Sequence, residues 1–141
     1  MQANFLLKED CIVDIDRSGI ILYVENYEDC VSFYADVIEL KIEFQTPSLT
    51  SFAFGNSYLM IERGGAAISK GKGISQSLCI LRMNVADVKM AAGLVSSKGV
   101  EAEYVEHEWG TVAKFVDPDG NHCEFKDTEK FDLQVSRGLE A

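Results

Sequence analysis

The sequence predicts an α+β protein made of two successive βαβββ modules in a single domain. Three observations lead there. The order strand, helix, three strands occurs twice, separated by a glycine-rich stretch, and a repeat of about fifty residues decides architecture before any other feature does. The length of 141 residues suits one domain, and a chain of about 150 residues buries roughly 70% of its unfolded surface, enough for a core without staples. The composition, 47% hydrophobic and 26% charged, is that of an ordinary folded chain. Only the element order repeats; the two halves share negligible sequence identity.

Residues 19–25, rich in β-branched and aromatic side chains, read as the first strand after an N-terminal extension over 1–18. Asn26 is placed to cap the next helix, with Glu28 and Asp29 in its first turn and Cys30, Val31, Tyr34, Val37 and Ile38 at helical spacing. Strands follow over 41–46, 50–54 and 57–62, the last two joined by a Gly55-Asn56 turn. Module one thus covers 19–63, and residues 64–76, with Gly64, Gly65, Gly71 and Gly73, form a linker. Module two covers 77–126. Its strand over 77–83 leads to a helix marked by Val85, Val88, Ala92 and Val95 and stopped near Gly99. Strands over 100–105 and 111–116 come next, then an Asp117-Pro118-Asp119-Gly120 turn and a strand over 121–126. Residues 127–141 read as a loose tail.

The charge balance is 13 Lys+Arg against 23 Asp+Glu, a net −10. Nucleic acid and anionic membrane both require a basic face, so neither is an expected partner. The four cysteines, Cys11, Cys30, Cys79 and Cys123, are too dispersed for a CxxC-type metal pair or a disulfide framework and suit a reducing cytoplasm. The first residues hold only a three-residue apolar run before Lys8-Glu9-Asp10, which is no secretory signal, and no stretch approaches the roughly 20 apolar residues of a membrane span. A soluble cytoplasmic protein is expected.

Two segments carry a family resemblance. The first runs from Ile21-Leu22-Tyr23 through Phe33-Tyr34 to Leu40; the second is Glu108-Trp109-Gly110 followed by Phe115-Val116-Asp117-Pro118-Asp119-Gly120-Asn121 and Glu124-Phe125. Together they resemble the vicinal-oxygen-chelate superfamily of glyoxalase I, bleomycin- and fosfomycin-resistance proteins and extradiol dioxygenases, over about residues 19–126. The resemblance implies paired βαβββ modules whose curled mixed sheets surround a shared cavity, often completed by dimerisation. It also implies, for the enzymes, a divalent metal held by His, Gln or Glu at the start of each module's first strand and Glu near the end of its last. Imidazole and carboxylate suit such an ion, and its open positions bind substrate oxygens.

Carried onto this chain, the first-strand positions fall on Gly19 and Leu78, neither of which can ligate. The last strands offer Glu124 in module two and Met60 or Glu62 in module one, the register leaving both open. His122 alternates onto the face of Glu124, but side chains two apart on a strand root about 6.5–7 Å apart, awkward for a shared ion. His107 sits ahead of Trp109. No metal is therefore expected, and Arg82 or Lys126 is expected to balance Glu124, because a buried charge is kept only when paired.

If Ile20, Leu22 and Val24 face the helix, alternation turns Gly19, Ile21 and Tyr23 to the cavity, with Tyr58, Met60 and Glu62, with Leu78, Ile80 and Arg82, and with His122, Glu124 and Lys126. That lining is apolar and aromatic with a few charges, as small-molecule pockets are. Trp109 reads equally as a stacking surface for a flat ligand or as a core anchor. Phosphate loops and a Gly-x-Ser-x-Gly elbow are absent, and adjacent Cys123 and His122 face opposite ways, so they form no dyad. The expected function is metal-independent binding or sequestration of an organic molecule, cationic or aromatic, in a groove at a homodimer interface, as in the bleomycin-resistance branch and the antibiotic resistance it confers. A cationic ligand would be steered by the acidic chain. The alternative is a metal-dependent lyase, isomerase or thiol transferase of the glyoxalase type with an atypical ligand set.

Overall fold

The computed structural model describes residues 13–77 and 79–140, the side chains of residues 139 and 140 excepted. Its elements run β1 (Gly19–Val24), α1 (Tyr27–Ser32) prolonged by a π-helical turn (Phe33–Val37), β2 (Ile42–Gln45), β3 (Leu49–Phe54) and β4 (Ser57–Arg63). Then come β5 (Ile80–Val85), α2 (Val88–Ser97), β6 (Glu103–His107), β7 (Gly110–Val116), β8 (His122–Asp127) and α3 (Thr128–Glu140). Two four-stranded sheets result, ordered β1-β4-β3-β2 and β5-β8-β7-β6. In each the first and last strands pair in parallel and the others are antiparallel. The doubled βαβββ order read from the sequence is present, and the sheets stay open.

Alternation works as the periodicity requires. Leu22, Val24, Phe52, Leu59 and Ile61 of sheet one are buried on the helix side, as are Leu81, Ala113, Phe115, Cys123 and Phe125 of sheet two. These two layers form one core with α1 and α2. The ring centroids of Phe33 and Phe115 lie 6.2 Å apart, and those of Tyr34 and Phe52 also 6.2 Å. Because both modules spend their helix-side faces on this common core, the opposite faces of the sheets look outward: Ile21 and Tyr23 are about half exposed, as is Ile80.

The Asp-Pro-Asp-Gly segment joins the modules. Asp117 accepts from the backbone N–H of Asp119 (2.9 Å) and Asn121 (2.8 Å), from Asn121 Nδ2 (2.9 Å), and from the Tyr34 hydroxyl of module one (2.7 Å). Asp119 accepts from the backbone N–H of Glu25 (3.0 Å) and Asn26 (2.9 Å) and from Asn26 Nδ2 (3.1 Å). Asn26 thus precedes α1 as expected, but its side chain makes no cap; the neighbouring carboxylate draws its amide away. Gly120, at φ +88, sits where a Cβ would strike the Ile68 carbonyl at 1.9 Å. Only glycine lets the linker lie there, held by Ile68 N–H to Asp119 O (3.0 Å) and Lys72 N–H to Gly120 O (2.9 Å).

Some boundaries differ from the sequence reading. Val100 N–H bonds Val95 O (3.1 Å), so the closing turn of α2 takes residue 100 and β6 starts later than expected. Asp87 caps α2, accepting from Met90 N–H at 3.0 Å. The expected loose tail is instead α3. The Asp127 carboxylate accepts from Lys130 N–H at 2.8 Å, a helix cap supplied by the last residue of β8. No helix among the described residues is long and apolar enough to cross a membrane.

Candidate functional site

The outward face of sheet two carries the charges. Ile80 stands opposite His122, Arg82 opposite Glu124, and Lys114 of β7 opposite Glu124 on its other side. A cavity of about 360 Å³ opens there, lined by Ile74, Ser77, Cys79, Ile80, Lys114, His122, Cys123 and Glu124. Its floor is β8 and its rim is the end of the linker, which the Gly120 contact holds in place.

Glu124 is almost wholly buried, and Arg82 Nε donates to Oε2 of its carboxylate. The guanidinium is partly exposed, so this cation supplies the charge balance without leaving water itself. His122 is fixed through Nε2, 2.6 Å from the Lys72 carbonyl. A carbonyl only accepts, so Nε2 carries the proton and Nδ1 is the nitrogen left for a ligand. Burial pushes the Cys123 thiol up to about 12, with the Tyr34 hydroxyl opposing and Asp117 reinforcing the shift. That thiol faces the core and is no nucleophile.

Lys126, the other expected partner of Glu124, points elsewhere. It is fully buried, 5.5 Å from the Trp109 ring centroid and 5.9 Å from that of Phe131, with Gln134 Oε1 at 3.4 Å and Asp127 Oδ1 at 3.8 Å. Trp109 stacks on His107 at 4.5 Å between centroids and lies half exposed over this lysine. It is neither in the core nor in the cavity.

Of the residues read from the sequence, Ile80, His122 and Glu124 line the cavity and Arg82 braces it. Ile21, Tyr23, Tyr58, Met60 and Glu62 share the outward face of sheet one, Met60 opposite Ile21 and Glu62 opposite Tyr23. They do not meet the cavity within the chain. Leu78 lies outside the described residues. Besides Cys123, whose thiol faces the core, Lys114, Cys79, Ser77 and Ile74 were missed. Lys114 was recoverable, since alternation along β7 puts Val112, Lys114 and Val116 on one face; the other three depend on the path of the linker.

The donor set does not fit the superfamily's metal. Gly19 supplies no ligand, and a Cβ there would fall 2.2 Å from the Tyr58 ring, so an aromatic side chain fills the space over that position. Glu124 is committed to Arg82. Among the described residues no group of three or more His, Cys, Asp or Glu is arranged to hold an ion.

Doubled βαβββ sheets with a cavity against the last strand of one module define a class of protein, and the sequence names it. A model of the glyoxalase/bleomycin resistance protein/dioxygenase superfamily matches residues 16–125, and the chain belongs to that superfamily. Solved structures agree on the fold. A lactoylglutathione lyase from Agrobacterium tumefaciens is 17% identical, with a TM-score of 0.65 over 86% of this chain and 97% of its own. TnmS3, an antibiotic binding protein from Streptomyces sp. CB03234, is also 17% identical, with a TM-score of 0.64 over 83% of this chain and 97% of its own. A glyoxalase/bleomycin resistance protein/dioxygenase from Nocardioides is 13% identical, with a TM-score of 0.66 over 90% and 93%. A search of curated protein sequences finds no match.

Proposed function

We propose that this protein binds a small organic molecule without a metal and without transforming it, in a groove that a second copy of the chain completes. The observation that carries the reading is the Arg82–Glu124 pair. Where the superfamily's enzymes need a carboxylate free for a cation, this chain already neutralises it with a guanidinium. The Tyr58 ring over Gly19 removes the second ligand position in the same way.

The two outward faces suit a shared groove between copies. One is aromatic and apolar, with Ile21, Tyr23 and Phe44 each about half exposed; the other carries Arg82, Lys114, His122 and Glu124. Within one chain they are turned apart by the common core. A second copy laid against the first brings one face over the other and covers apolar surface that a lone monomer leaves in water. The unpaired thiols of Cys30, Cys79 and Cys123 fit a reducing compartment. A binding role, as in the antibiotic binding protein TnmS3, requires nothing more than this.

A thermal-shift screen of divalent ions and small organic molecules tests the reading, because a ligand that binds only the native state raises its stability. Zinc, nickel, manganese and magnesium are expected to leave the melting temperature unchanged, and one organic class is expected to raise it. Stoichiometric metal retained after dialysis, with loss of stability on chelation, would overturn the metal-free reading in favour of a metal-dependent enzyme. Sedimentation equilibrium giving only a monomer would overturn the shared groove.

A further inference from the structure

Resting on that reading, the geometry points to a ligand class: we infer that the cavity takes an organic carboxylate with an apolar, aromatic-sized body. The acidic chain favours cations in bulk, but the cavity does not follow the average. Its charged lining is Glu124 and Lys114. Glu124 is neutralised by Arg82, and Lys114 forms no ion pair with any carboxylate among the described residues. The cavity and its brace therefore carry one uncompensated positive charge in a protein of net −10.

The neighbouring groups do not cancel it. Glu103 of β6 stands opposite Lys114, but it is exposed, forms no ion pair with it and does not line the cavity. An exposed pair of that kind contributes little. The remaining negative charges lie outside the lining, where water and salt weaken their effect. A ligand in contact with Lys114 responds to that ammonium rather than to the net charge.

The rest of the lining sets the body and the number of charges. Ile74, Cys79 and Ile80 are exposed side chains around the mouth. They offer apolar surface that only a bound molecule, or a second chain, would cover. The volume of about 360 Å³ is at the small end of the range of roughly 300–1,000 Å³ for ligand sites, the scale of a mono- or bicyclic acid. A single lysine is a point charge matched to one carboxylate. A phosphate dianion would call for a second cation free of a carboxylate partner, and none besides Lys114 lines the cavity. Arg82 is held by Glu124. Ser77 adds a hydroxyl to the lining.

The test titrates the full chain with 1-naphthoate, 1-naphthamide and 1-naphthylmethylammonium, three molecules of one shape and three charges, and follows backbone amide NMR shifts. Naphthoate is expected to move residues 77, 79, 80, 114 and 122–124 and to bind at least about tenfold more tightly than the other two, the gain from one charge-assisted hydrogen bond. Lys114→Met should abolish that preference, and Lys114→Arg should keep it. Equal or tighter binding of the amide or the ammonium at these residues would overturn the carboxylate assignment while leaving a small-molecule site. Naphthoate affinity unchanged in Lys114→Met would overturn it as well. No shift at these residues with any of the three would overturn both the ligand class and the site.

Discussion

Arg82 and Glu124 face each other on neighbouring parallel strands, the guanidinium Nε bonded to a carboxylate that is almost wholly buried. Removing one partner leaves the other to bear its desolvation alone. Arg82→Met should therefore cost about 2 kcal/mol in urea unfolding, below the roughly 3–5 kcal/mol of a fully buried pair because the guanidinium keeps part of its water. The double variant Arg82→Met, Glu124→Leu should recover most of the loss. A double variant no more stable than the single one would show that the pair is not coupled.

The junction between modules rests on Asp119, whose carboxylate takes three hydrogen bonds from Glu25 and Asn26. Asp119→Ala leaves two backbone N–H groups at the start of α1 without that acceptor and should cost about 3 kcal/mol. Amide hydrogen exchange should rise first at residues 25–30, ahead of sheet two.

Thiol labelling separates the described cysteines by location. Cys79 is exposed at the cavity, whereas Cys30 and Cys123 are buried. In a Cys11→Ser background, iodoacetamide at pH 8 should modify Cys79 in the native protein and the other two only on unfolding. The Cys79 adduct, read by mass spectrometry, should also block naphthoate binding. Labelling of Cys123 in the native state would contradict its burial and its pKa of about 12.

Acid should release α3 before the core. The Asp127 carboxyl is held below its usual value: burial opposes this, but hydrogen bonds from the Lys130 and Thr111 amides, and nearby Lys126, outweigh it. A depressed folded pKa gives stability that is complete above the unfolded value, roughly 3.9, and is lost as pH falls through the folded value. Lowering the pH from 5 to below the usual carboxylate range should therefore loosen α3, read as loss of helical circular dichroism. Asp127→Ala, which removes both acceptors, should show the loosened helix already at pH 7.

Much of the fold was legible from local signals. Alternation in β1 and β4, helical spacing in α1 and the Asp-Pro-Asp-Gly turn each depend on residues close in sequence, and each stands where the pattern put it. The start of β6 was not legible, because the return bond of Val100 to Val95 is a choice made by the helix end. Neither was α3: its cap is Asp127, which also belongs to β8 and holds the amide of Thr111.

By itself the sequence determined the doubled module, the family and the absence of side chains able to ligate at Gly19. It also named both members of the Arg82–Glu124 pair. Only the tertiary structure decided between Arg82 and Lys126 as the partner, because α3 and Trp109 cover one cation and leave the other beside the carboxylate. It alone placed Cys79 and Ile74 on the cavity rim, through a linker held to the Gly120 turn by backbone hydrogen bonds. Periodicity fixes which face of a strand a side chain takes. What that face meets depends on contacts between residues up to about ninety positions apart, such as Glu25 and Asp119, which no local pattern encodes.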